Sequence, residues 1–136
     1  MKIKDWITKE VITIGPEVSV KKAFGLMKSM GIRHLPVVNK RGEILGMVTD
    51  RDLRRPKISD VFTEWNDLYR LDDEMQAEDV MVTPVITIDP DDTIRQAAQK
   101  MVESRIGAMP VVDSMKKMVG IITESDVLRA FVADKN

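Results

Sequence analysis

The sequence predicts an α/β fold made of two β-α-β-β-α repeats. Three observations carry that expectation. First, the chain returns to itself. Gly46-Met47-Val48-Thr49-Asp50-Arg51-Asp52 comes back 74 residues later as Gly120-Ile121-Ile122-Thr123-Glu124-Ser125-Asp126. At the same offset, and without a gap, Val11-Ile12-Thr13-Ile14 meets Val85-Ile86-Thr87-Ile88, Met27 meets Met101, and Pro36-Val37-Val38 meets Pro110-Val111-Val112. Second, each copy switches between short β-branched runs and helical spacing of its apolar residues. Third, a unit of about three strands and two helices leaves one face of its sheet bare, and two such units packed sheet to sheet remove the problem.

The elements follow in order. Val11 to Ile14 is a β-branched run, read as a strand and broken by Gly15-Pro16-Glu17. Val20, Ala23, Phe24 and Met27 fall at i, i+3, i+4 and i+7 and predict a helix that Gly31 ends. Leu35 to Val38 and Ile44 to Val48 read as strands around the turn Asn39-Lys40-Arg41-Gly42. Asp50 to Arg55 starts a short helix stopped by Pro56. Within 56–78, Val61, Phe62, Trp65, Leu68 and Tyr69 have helical spacing, so this stretch is read as an amphipathic insert. Asp79-Val80-Met81 leads into the second copy as Asp5-Trp6-Ile7 leads into the first.

In that copy Val85 to Ile88 is a strand, and Thr93-Ile94-Arg95-Gln96 matches a capping box. Ile94, Ala97, Ala98 and Met101 give the apolar face of the helix that follows. Ala108 to Val112 and Met118 to Ile122 are strands, and Val127, Leu128 and Phe131 carry the last helix. The division is therefore 1–55, a helical insert at 56–78, and 79–136.

Composition narrows the function. A formal net charge of −1 argues against a nucleic-acid partner, whose binders carry a basic excess. The chain has no cysteine, which removes thiolate chemistry and fits a cytoplasmic setting. No apolar run reaches membrane-spanning length. His34 is the only histidine, and no nucleophile–base pair can be built without it, so no catalysis is expected. Asp89, Asp91 and Asp92 stand before a helix and suit its dipole better than a metal ion. Trp6 and Trp65 read equally well as core cover and as partner anchors.

Each repeat closes its last strand with Thr-x-x-Asp, Thr49 with Asp52 and Thr123 with Asp126. The plain reading is a helix cap. A sharper reading lets the carboxylate accept two hydrogen bonds from a vicinal diol, as acidic groups do with ribose, while the hydroxyl donates to phosphate. Both readings stand at this point.

These residues resemble the cystathionine-β-synthase (CBS) domain. The marks are Val11 to Ile14, Gly31 to Val38 and Gly46 to Leu53 in one copy, and Arg105 to Val112 and Gly120 to Asp126 in the other. The chain is similar to a stand-alone tandem pair, the Bateman module, from about Asp5 to Ala133, and its insert resembles the acetoin-utilisation type. The resemblance implies pseudo-twofold packing, two clefts, and AMP, ADP, ATP or S-adenosylmethionine as ligand. It also implies a homodimer that regulates another protein in trans.

Carried over by position, one cleft joins Thr123 and Asp126 to Ile7, Ile12, Ile32, Arg33, His34 and Pro36. The other joins Thr49 and Asp52 to Met81, Ile86, Ile106, Gly107, Ala108 and Pro110. The first cleft draws cations from Arg33 and His34, and the second from Arg51, Arg54 and Arg55, so different phosphate-length preferences are expected. The alternative is a dimeric scaffold whose clefts stay empty.

Overall fold

Ser19 opens the first helix, α1 (Val20–Met30), by accepting the Lys22 N–H with its hydroxyl. Val20, Ala23, Phe24 and Met27 are its buried face, as their spacing predicts. Gly31 ends it in the left-handed conformation at φ 65°, which a glycine adopts without a Cβ penalty. The computed structural model describes residues 1–50 and 75–134. They fall into two units, Ile12–Val85 and a second made of Met1–Val11 with Ile86–Asn136, each with its own apolar core.

In the Ile12–Val85 unit, α1 leads to β1 (His34–Val38) and β2 (Ile44–Thr49), an antiparallel pair. Asn39 shapes the turn between them: its side-chain oxygen accepts the N–H groups of Arg41 and Glu43 at 2.9 and 3.0 Å. A short helix, α2 (Ala77–Val80), completes the unit. Leu35, Val37 and Val48 are fully buried against α1 residues and Ala77.

The second unit repeats this pattern. Thr93 and Gln96 form the expected capping box of α3 (Ile94–Ser104). The hairpin is β3 (Ala108–Val112) with β4 (Met118–Thr123), and Asp113 plays the part of Asn39 at its turn. The last helix is α4 (Glu124–Ala133).

Two expectations change. Val11 to Ile14 is not a strand but a single parallel bridge, Ile14 to Val37; likewise Val85 to Ile88 shrinks to the bridge from Ile88 to Val111. Ile14 donates to the Pro36 carbonyl and accepts from Val38 at 3.0 and 2.9 Å. The next bond of a parallel ladder would run from the N–H of residue 36 to the carbonyl of Ile12. Pro36 has no N–H, and Pro110 stands at the same place in the other unit.

The second change concerns the final helix. Leu128 and Phe131 are 63% and 75% exposed, while Ala130 and Asp126 are buried. The helix turns its i, i+4 pair Asp126 and Ala130 inward, a face that apolar periodicity does not identify because one member is charged.

The lead-in segments are exchanged between the repeats, in keeping with the grouping of Ile7 with Thr123 and of Met81 with Thr49. By sequence order Ile3 to Ile7 introduces the first repeat, yet it packs on the second. Lys2 bridges Thr93, Ile3 donates to Asp92 at 2.9 Å, and Thr8 bridges Ile121. Reciprocally, Gln76 bridges Ser19, Ala77 donates to Val18 at 2.7 Å, and Val82 bridges Met47. Every one of these pairs maps onto its counterpart at the 74-residue offset. The predicted helices at Asp50 to Arg55 and around Val61, Phe62, Trp65, Leu68 and Tyr69 lie outside the described residues.

Each docked segment lies against a glycine. A Cβ on Gly120 would sit 2.7 Å from the Thr8 carbonyl oxygen and 2.7 Å from Ile7 Cδ1. At Gly46 all three nearest atoms belong to the flexible Met81 side chain. Gly120→Ala should therefore cost about 1–3 kcal/mol in urea unfolding, the range of overpacked cores, and more than Gly46→Ala. Equal costs would mean that residues 7–8 do not dock on β4 in solution.

Candidate functional site

Some of the residues singled out by the sequence meet at one end of each hairpin, where His34 faces Thr49 and Ala108 faces Thr123. In the second unit Thr123 ends β4 opposite Ala108, and the N–H of Glu124 donates to the Gly107 carbonyl at 3.0 Å. Ile106 and Ile7 are half-buried against the core there. Pro110 is buried and Ile86 is 39% exposed. In the first unit Thr49 ends β2 opposite His34, and Asp50 donates to the Arg33 carbonyl at 3.1 Å. Ile12, Ile32 and Met81 are half-buried against that core, Pro36 is buried and Arg33 exposed. Asp52, Arg51, Arg54 and Arg55 lie outside the described residues. Within the units, Ile7, Ile86, Ile106, Gly107, Ala108 and Pro110 accompany Thr123 and Asp126. Ile12, Ile32, Arg33, His34, Pro36 and Met81 accompany Thr49.

The two ends differ in charge. Both ends carry an acid after the closing Thr, Asp50 in the first unit and Glu124 in the second, but the first has Arg33 where the second has Gly107, whose Cβ position lies 3.1 Å from the Glu124 carboxylate.

Asp126 is the most informative side chain. It is 2% exposed. Its Oδ2 accepts from the Thr123 N–H at 2.8 Å and from the Thr123 hydroxyl at 3.1 Å, while the Asp126 N–H donates to that hydroxyl at 3.3 Å. This is a full capping box, so the plain reading of the motif is realised here. The other oxygen, Oδ1, is paired with the guanidinium of Arg129, one turn along α4. Sequence reasoning does not single out Arg129; the signal available was its i, i+3 spacing from the acid.

The acids before α3 have local work as well. Asp89 Oδ1 accepts the Asp91 N–H at 2.8 Å, and Asp92 Oδ2 accepts the Asp89 N–H at 3.1 Å. Asp91 pairs with Lys4 at 3.2 Å and with Lys2 at 3.9 Å, which helps hold the docked segment. Trp6 packs against the second core, so the core-cover reading applies to it; Trp65 lies outside the described residues. Among the described residues no group of His, Cys, Asp and Glu is arranged to hold a metal ion, and no helix is long and apolar enough to cross a membrane.

Two like units, each with a hairpin whose second strand ends in Thr, and each completed by the other repeat's lead-in segment, define a tandem α/β repeat protein. The family model for the CBS domain matches residues 3–57 and 77–133, and the chain belongs to the CBS-domain family. L-aspartate semialdehyde sulfurtransferase of Methanocaldococcus jannaschii is 29% identical over 133 residues, which is 98% of this chain and 24% of that enzyme. The solved CBS domain pair of protein MJ0100, in complex with 5′-methylthioadenosine and S-adenosyl-L-methionine, superposes with a TM-score of 0.80. It is 28% identical, with 96% of this chain and 99% of that one covered. The acetoin-utilization-type protein AcuB of Vibrio cholerae gives a TM-score of 0.81 at 29% identity, covering 97% and 92%. The chain spans 24% to 58% of the length of the first curated relatives it matches.

Proposed function

We propose that this chain is a regulatory module that binds an adenosine-containing ligand between its two repeats and signals by a change of conformation. The observation that carries this reading is the MJ0100 pair, similar over nearly its whole length and solved with two adenosyl compounds. In the proposal, one cleft takes Thr123, Asp126 and Ile7 with Ile12, Ile32, Arg33, His34 and Pro36. The other takes Thr49, Asp52 and Met81 with Ile86, Ile106, Gly107, Ala108 and Pro110. The aspartate accepts the ribose diol, the threonine hydroxyl donates to phosphate, and the isoleucines flank the base. A ligand that favours one arrangement of the repeats shifts the population toward it, by no more than its differential affinity. A second copy of the chain, or a regulated protein in trans, reads the shift. The exposed side chains of Leu128, Phe131 and Val132 on α4 suit such an association.

Thermal unfolding with AMP, ADP, ATP, S-adenosylmethionine and NADH tests the reading. A ligand bound only by the folded chain adds about 2.7 kcal/mol of stability at a hundredfold excess over its Kd. No shift with any of them would favour the second reading, a dimeric scaffold with ligand-free clefts. One observation supports that alternative: the capping box and Arg129 already engage both oxygens of Asp126.

A further inference from the structure

We infer that Arg129 is a charge-selective gate over Asp126, yielding the carboxylate more readily to a ribose that carries a phosphate than to an uncharged or cationic adenosine. The inference rests on the ligand-binding reading above and deepens it. Its first support is the division of labour between the two carboxylate oxygens. Oδ2 holds the start of α4 through the Thr123 N–H and hydroxyl. Drawing on it would uncap the helix, so a diol is left with Oδ1. That oxygen is the one Arg129 occupies.

The second support is exposure. Asp126 is buried and held in place, whereas the Arg129 side chain is 61% exposed and can swing into solvent. A ribose reaching Oδ1 therefore displaces or shares the guanidinium. Charge decides how easily this happens. A phosphate supplies the displaced guanidinium with a new anion, and arginine pairs with phosphate through charge-assisted, bidentate hydrogen bonds. Uncharged adenosine offers no such replacement, and a sulfonium repels the freed cation. The third support is the sequence. Thr-x-x-Asp-x-x-Arg occurs twice at the repeat offset, as Thr49, Asp52, Arg55 and as Thr123, Asp126, Arg129.

The test is calorimetric titration of the full chain and of Arg129→Ala with AMP, adenosine and S-adenosylmethionine. Arg129→Lys serves as the charge-retaining control. In the alanine variant adenosine and S-adenosylmethionine should bind more tightly and AMP less tightly. The preference for AMP over adenosine should fall about tenfold, the equivalent of one charge-assisted hydrogen bond, and the lysine variant should keep most of it. A structural role alone would weaken all three ligands in proportion and leave the ratios unchanged; that result overturns the gate while ligand binding stands. If neither protein binds any of the three, the ligand-binding reading falls and the gate with it.

Discussion

Ile3→Ala is expected to lower the stability of the folded chain by about 2–5 kcal/mol, the range for truncating a buried isoleucine. Residues so close to a terminus usually tolerate change, because most chain ends are poorly tied down. Ile3 is different. It is 0% exposed and sits among Ile88, Ile94, Ala97, Met101, Met109 and Ile122. Its backbone is held on both sides, by its own bond to Asp92 and by the Lys4 bond to Pro90 at 3.0 Å, so the site has little freedom to collapse around the cavity. The neighbouring ion pairs to Asp91 are solvent-exposed, and Lys2→Ala and Lys4→Ala should each cost only about 0.2–1 kcal/mol. Urea unfolding monitored by circular dichroism separates the cases. An Ile3→Ala cost no larger than that of the lysine variants would show that the lead-in segment is not docked in solution.

The second large effect belongs to Asp126. Asp126→Ala removes the acceptor of the Thr123 N–H at the start of α4 and should cost about 2 kcal/mol, the upper part of the range for lost caps. The side chain is buried, so water does not freely replace it, and an unsatisfied donor keeps its desolvation penalty. Asp126→Asn retains an oxygen for that N–H and should cost less than half as much. The pair of variants thus divides stability from binding. Under the proposed function, Asp126→Asn stays folded at 25 °C and still loses the cleft built on Thr123, as read by calorimetry with AMP. Unchanged AMP binding by a folded Asp126→Asn variant would remove the carboxylate from the ligand site.

The fold was legible wherever its causes are close in sequence. The cap at Thr93, the turn shaped by Asn39, and the buried stripe of α1 each join groups within a few residues of one another. The Thr-x-x-Asp motif was legible in the same way, and both its partners in the capping box are local. The charged inward face of α4 was not, because apolar patterning assigns a carboxylate to solvent. The single-residue bridges at Ile14 and Ile88 were missed for another reason: β-branched composition signals strand propensity, while the missing N–H of Pro36 and Pro110 acts from a different segment.

The sequence by itself determined that there are two repeats, the helix and hairpin that each contains, and which short motif closes each hairpin. All of that follows from a 74-residue identity of pattern and from local hydrogen-bonding chemistry. Only the tertiary structure decided which lead-in segment completes which core. The two segments have the same pattern, so each carries the hydrogen-bonding groups for either site, and pattern alone cannot distinguish self-docking from exchange. It also decided that Arg105 holds the left-handed position at φ 55° that Gly31 holds in the first repeat. The chain must leave α3 for β3 at the same angle whether or not a glycine is present there, and docking of both elements on one core outweighs the local cost of the turn.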